Sequence, residues 1–120
     1  MISITVPFPP SVNHYLVRSK TGHFYKSAKA KQYVHEVWAA SRSVAIGLDV
    51  PLTVTYNYWF PKLSRRRDVG NYEKCLSDAL VQAGVFADDS LIYRLVQERR
   101  GVDGRGRVEV TIQYYEGDGT

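Results

Sequence analysis

The chain has a single cysteine and no apolar run near the roughly 20 residues that cross a bilayer. Cys75 cannot form an internal disulfide, and its isolation points to a reducing compartment. It sits in a helical pattern beside Leu76 and Ala79, where a small buried apolar residue is the simplest reading, not a nucleophile. Histidine is scarce too, and His14, His23 and His35 lack metal-ligand spacing, so each reads as a surface or helix-edge residue. Met1 leads straight into a strand pattern, so no signal peptide is expected. The expectation is a cytoplasmic protein with no membrane partner. There is no internal repeat, linker or low-complexity segment.

Acids are outnumbered: 12 Asp and Glu stand against 16 Lys and Arg, a formal charge of +4. That surplus is mild, but it is clustered. Lys20, Lys26, Lys29 and Lys31 form one group, Arg65, Arg66 and Arg67 a second, and Arg94, Arg99, Arg100, Arg105 and Arg107 a third. Clustered positive charge suits a polyanion, although solvated surface is the bland alternative.

At 120 residues the chain makes one domain, residues 1–120, with one core. Ile2, Ile4 and Val6 alternate as a half-buried strand that Pro7 ends. Ser11 to Gly22 reads as a polar loop. Ser27 is an N-cap for a helix to about Ile46, with an apolar stripe of Tyr33, Val34, Val37, Trp38, Ser41, Val44 and Ala45, closed by Gly47. Leu52 to Phe60 is a second strand. Asp68 is placed to cap a second helix that runs to about Ala83, and Gly84 stops it. Leu91 to Glu98 and Arg107 to Tyr115 read as a terminal hairpin, and Trp38 and Trp59 as core. The expected fold is α+β, a small mixed sheet in the order strand-helix-strand-helix-strand-strand, covered by two helices.

The most informative segment is Arg65-Arg66-Arg67-Asp68-Val69-Gly70-Asn71-Tyr72-Glu73-Lys74, followed after the helix by Gly84 and by Asp88-Asp89. Arginines hold phosphates, carboxylates hold a hard divalent cation, and a lysine neutralises developing charge. A metal site that cleaves phosphodiesters needs those ingredients. Asn71, Lys74 and Asp78 share one helix face, and Tyr72, Leu76, Ala79, Leu80 and Ala83 face the core. Each piece also has an ordinary reading: Asp68 as a cap, Lys74 as solvated, Asp88 and Asp89 as turn formers.

The whole pattern resembles the RusA family of Holliday junction resolvases. Pro9-Pro10-Ser11-Val12-Asn13 with Tyr15, the arginine run into Asp68, Asn71, Lys74, Asp78-Ala79-Leu80, Gly84, Asp88-Asp89 and the final strand from Arg107 all match. The resemblance implies a homodimeric, Mg²⁺-dependent endonuclease, with Mn²⁺ able to substitute, that cuts four-way junction DNA in recombination and repair. It puts catalytic acids at Asp68, at the position of Gly70 and at Asp89, with Lys74 essential, Asp88 auxiliary and Arg67 on a phosphate. Arg65, Arg66, Asn71, Asn13, Tyr15, Arg18 and Lys20 are the further DNA-contacting candidates. Tyr15 or Phe24 is placed to stack on an unpaired base, and folding onto the sheet is the simpler reading for Phe24.

Gly70 departs from the family, which carries aspartate there. Glu73 lies off the Lys74 face, so compensation by it is not assumed. Three explanations stand open: an engineered inactivation, a natural junction binder that does not cleave, or a site that tolerates the glycine. A helix from Asp68 to Ala83 is about 24 Å long at 1.5 Å per residue, with Asp89 beyond its far end. Unless the chain doubles back, Asp68 and Asp89 meet only across a two-fold dimer, which makes the expected active site composite. Three function classes remain: a junction-cleaving nuclease, a non-cleaving junction binder of the same fold, and an unrelated small module.

Overall fold

A computed structural model describes residues 1–44, 46–63 and 69–117. Six strands and two helices follow in order: β1 (Ile2–Pro7), β2 (Leu16–Arg18), β3 (Phe24–Lys26), α1 (Ala28–Ser41), β4 (Leu52–Phe60), α2 (Gly70–Gln82), β5 (Ile92–Val102) and β6 (Arg107–Tyr114). Short 3-10 turns lie at Val12–His14 and Asp89–Leu91. The α+β expectation holds, as a mixed four-stranded sheet with two helices.

The sheet runs β1-β6-β4-β5. β4 pairs antiparallel with β6 and parallel with β5. β5 and β6 are therefore not the expected hairpin: the chain leaves β5 at the sheet edge, passes β4 and inserts β6 between β4 and β1. The residue pattern explains this. β4 buries every second side chain, Leu52, Val54, Tyr56, Tyr58 and Phe60, and occupies the interior of the sheet. β5 carries Arg94, Glu98, Arg99 and Arg100 and is largely exposed, a charged strand suited to an edge.

The buried side of β4 meets Val108, Val110 and Ile112 of β6, Ile4 and Val6 of β1, and the inner faces of both helices. α2 contributes Tyr72, Cys75, Leu76, Ala79 and Leu80, with Ala83 half-buried against the core at its C-cap, as the expected core face required. α1 is shorter than expected and ends at Ser41, whose hydroxyl donates back to the Val37 carbonyl at 2.8 Å. That back-bonding competes with the helix ladder and favours termination. Val44, placed on the core stripe by spacing, is exposed as a result. Trp38 is outside the core as well: it is 42% exposed, with His35 stacked on one side and the Arg42 guanidinium 4.9 Å from its ring.

Two features aim the functional segments. Gly47 donates to the Gly84 carbonyl at 2.7 Å, Leu48 to Val85 at 3.0 Å, and Ala87 back to Leu48 at 2.9 Å. These bonds clamp the exit of α2 beside the exit of α1 and send residues 88–91 toward the start of β5. At the opposite end, Phe8 packs on Tyr72 with centroids 4.8 Å apart and on Phe60 at 4.9 Å. This aromatic cluster holds the proline-rich segment after β1 against the first turn of α2.

Candidate functional site

The N-terminal half of α2 presents the polar face expected of it. Gly70, Asn71 and Lys74 are exposed, and Lys74 has no ion-pair partner among the described residues. The residue in the cap position is Val69, whose side chain offers no acceptor. The expected cap, Asp68, and the run Arg65, Arg66 and Arg67 lie outside the described residues. Glu73 turns away from this face. Its Oε1 accepts from the Ser77 hydroxyl at 2.7 Å, and Ser77 is in turn 2.8 Å from the buried Tyr56 hydroxyl. The Glu73 carboxylate is thus committed to an internal chain.

Further along the same helix, Asp78 forms an ion pair with Lys26 at 3.4 Å. Its Oδ2 is enclosed without a well-aligned hydrogen bond, so this is a Coulombic contact, not a hydrogen-bonded one. Burial pushes the Asp78 carboxyl above the ordinary carboxylate range, and the nearby charge of Asp89 adds to this. Asp89 therefore stands beside the C-terminal half of α2. Asp88 Oδ1 accepts from the Ser90 N–H at 2.8 Å and caps the 3-10 turn, which holds its carboxyl below the usual range. Asp89 is exposed on that turn. Gly70 is about two turns, some 12 Å, from Asp78 along the helix axis. Among the described residues no three His, Cys, Asp or Glu side chains gather as a metal site.

The segment before α1 is a two-stranded ribbon, β2 with β3, where the spacing pointed only to a loop. Asn13, Arg18 and Lys20 are exposed on it. Tyr15 is not available to stack, because it is 4% exposed and lies under Lys26, whose Nζ is 5.9 Å from its ring. The backbone turns inward there, since the Tyr15 carbonyl accepts from the Ser27 N–H at 2.9 Å. The ring left outside is Phe24, at 66% exposure, the reverse of the expectation. Ser27 caps α1 as expected, accepting from the Ala30 N–H at 3.1 Å.

A cleft of about 330 Å³ opens where this segment meets α2, lined by Phe8, Pro9, Ser11, His14 and Tyr72. Sequence reasoning placed Lys26 only in a basic cluster and passed over Ser77. The i,i+4 spacing of Glu73 and Ser77 was a usable signal, whereas Lys26 reaches Asp78 only through the tertiary fold.

Many of the basic residues on the last two strands are already engaged. Arg107 pairs with Asp103 and stands 4.1 Å from the Trp59 ring, and Arg100 pairs with Glu98 at 2.8 Å. Trp59 is on the sheet face opposite the helices, not in the core predicted for it. No helix among the described residues is long and apolar enough to cross a membrane.

Comparison with known proteins bears on this arrangement directly. The family described as endodeoxyribonuclease RusA matches residues 7–113. The chain is 37% identical over 114 residues to the crossover junction endodeoxyribonuclease RusA of Escherichia coli (strain K12), covering 92% of each. It is 36% identical over 113 residues to the corresponding protein of Enterobacteria phage 82, covering 91% of each.

Proposed function

The chain belongs to the RusA family of crossover junction endodeoxyribonucleases, Holliday junction resolvases, and on that premise we propose how its residues divide the work. Asp68 and Asp89 are the ligands of a divalent cation, Mg²⁺ by preference and Mn²⁺ as substitute. The donor set is all oxygen, which fits a hard cation. When bound, the ion supplies a nucleophilic hydroxide and charge stabilisation at the phosphorus. Lys74 stabilises charge on the scissile phosphate or its leaving oxygen, and its exposed head, with no ion-pair partner among the described residues, suits that task. Asp88 fixes the turn that presents Asp89. Arg65, Arg66, Arg67, Asn71, Asn13, Arg18 and Lys20 hold the junction backbone. Tyr15 contributes by anchoring that ribbon from within the core.

The observation that carries this reading is the separation on α2. Lys74 and Asn71 mark the N-terminal half, and Asp89 stands by the C-terminal half beside Asp78. A second copy of the chain, with its α2 antiparallel to the first, brings Asp89 of one protomer to the N-terminal end of the other. The active site is then composite, and two such sites suit a substrate with two equivalent strands to cut.

Gly70 is the weak point. Glu73 is tied to Ser77, so the nearest carboxylate on the helix does not replace the missing one. This favours weak cleavage by the chain as it stands, with junction binding retained. The test is cleavage of a labelled four-way junction in Mg²⁺ or Mn²⁺ by the chain and by Gly70→Asp. Gly70→Asp should cut at least about 10–100-fold faster, the loss expected when metal support is removed. Equal activity would show that another ligand completes the site. If neither variant cuts or prefers junctions over linear duplex, the role assignment fails.

A further inference from the structure

His14 is an exposed residue near α2 held at both backbone and ring, and no role proposed above uses it. Its backbone N–H donates to the Ser11 carbonyl at 2.9 Å. Its carbonyl accepts from the Ser27 hydroxyl at 2.6 Å, the same hydroxyl that caps α1. Its Nδ1 is 2.9 Å from the Ser11 hydroxyl. Three hydrogen bonds thus fix the residue, and Nε2 remains as the polar atom of the ring. His14 lines the cleft of about 330 Å³ with Phe8, Pro9, Ser11 and Tyr72. Tyr72 stands in the first turn of α2, between Asn71 and Lys74, so the cleft adjoins the place proposed for the scissile phosphate.

The chemistry of the cleft separates two kinds of DNA contact. A phosphate is an anion that a long, flexible Lys reaches as a point charge from many orientations. A base edge demands a directed donor or acceptor, and an unstacked base also needs apolar walls for its faces. Here the ring is held at Nδ1 by Ser11, and Phe8, Pro9 and Tyr72 supply apolar wall to the cleft. The volume is at the lower end of the range for small-ligand pockets, about 300–1,000 Å³. Resting on the function proposed above, we infer that this cleft receives an unstacked base beside the scissile phosphate and that His14 reads its edge, which makes His14 a residue that sets the preferred cleavage sequence.

The experiment maps cut sites on a four-way junction with a mobile core, which presents many dinucleotides at the crossover. Gly70→Asp supplies the cleaving background, and Gly70→Asp with His14→Ala is compared with it. His14 is exposed, so the substitution should leave the fold intact by circular dichroism. Cleavage by the first should concentrate on a few dinucleotides, preferred by about tenfold, the discrimination of one good base contact. The second should spread its cuts without flattening the salt dependence of junction affinity. Ser11→Ala, which frees the ring without removing it, should broaden the map partway. An unchanged map, a background map with no preference, or a uniform loss of affinity with a flatter salt dependence would each overturn the inference. The last outcome would mark a phosphate contact. If Gly70→Asp does not cut, the roles proposed for the metal site have failed, and the readout becomes 2-aminopurine placed at the crossover. Its emission should rise on binding to the chain and rise less with His14→Ala, and equal emission would overturn the inference independently.

Discussion

At the scale of single residues, the buried polar groups decide what the protein tolerates. Tyr56 is fully buried, and its hydroxyl is satisfied by Ser77, which in turn donates to Glu73. Ser77→Ala leaves the tyrosine hydroxyl without that partner and should cost about 1–3 kcal/mol in urea denaturation. Tyr56→Phe in the same background should recover part of that loss, because the orphaned group is gone. Cys75 makes a second case. Burial pushes its thiol up to about 12, with Lys26 opposing weakly. The folded chain therefore keeps its proton where the unfolded chain, with a thiol near 8.5, has lost it. This contribution to stability is intact below that value and declines as pH rises from there toward 12. Thiol reagents at neutral pH should label Cys75 only at the rate of unfolding. The sequence supported the inert, buried reading of Cys75, because its neighbours at helical spacing are apolar. It could not reveal that Tyr15 turns inward while Phe24 stays out. Both sit in a polar stretch with no periodicity, and the choice is made by one backbone hydrogen bond to Ser27.

At the scale of elements, glycines and helix ends set the frame of the site. Gly106 has φ +72, and a Cβ there would lie 2.9 Å from Phe8 Cβ and from Pro61 Cδ. Gly84 has a similar φ, +83, but nothing within 4 Å of the added carbon. Gly106→Ala should therefore cost about 2–4 kcal/mol, from backbone strain plus overpacking, and Gly84→Ala only about 1–2. Paired thermal melts would check the difference. Gly70 begins a helix, so Gly70→Asp should stabilise the fold by about 0.5–1 kcal/mol through propensity and the helix dipole. A gain in melting temperature alongside a gain in cleavage would separate this site from the usual trade of stability for activity.

Element identity was largely legible. β4 and the start of α1 fell where their residues put them, because β-branched and aromatic runs and a serine cap are strong local signals. The end of α1, the β2–β3 ribbon and the place of β6 were not, since each depends on contacts between distant segments. Of the candidate site, the polar face of α2 was readable from spacing, and Asp88 as a turn former from its residue type. The pairing of Lys26 with Asp78 was not.

At the scale of the whole molecule, the proposed junction binding and the proposed composite site each make a prediction. Junction binding should weaken steeply with salt, with log affinity falling linearly against log salt. Arg67→Ala should flatten that slope by about one phosphate's worth, near 0.9. A composite site makes a sharper forecast. Asp68→Asn and Asp89→Asn, each inactive in a Gly70→Asp background, should regain single-strand nicking when mixed and allowed to exchange subunits. A mixed dimer holds one intact site and one doubly broken one. Continued inactivity in the mixture, with exchange verified, would place both ligands in the same protomer.

The sheet order carries a consequence for synthesis. β1, the first strand made, finds its partner in β6, so Ile2 waits for Ile112 and Val6 for Val108. β4 likewise lacks one neighbour until that last strand arrives. While residues 107–114 are still inside the exit tunnel, the sheet is unclosed and α2 has no ordered floor beneath it. Closure of the sheet then waits for residues 107–114, and a chain truncated before residue 107 yields no partly working nuclease.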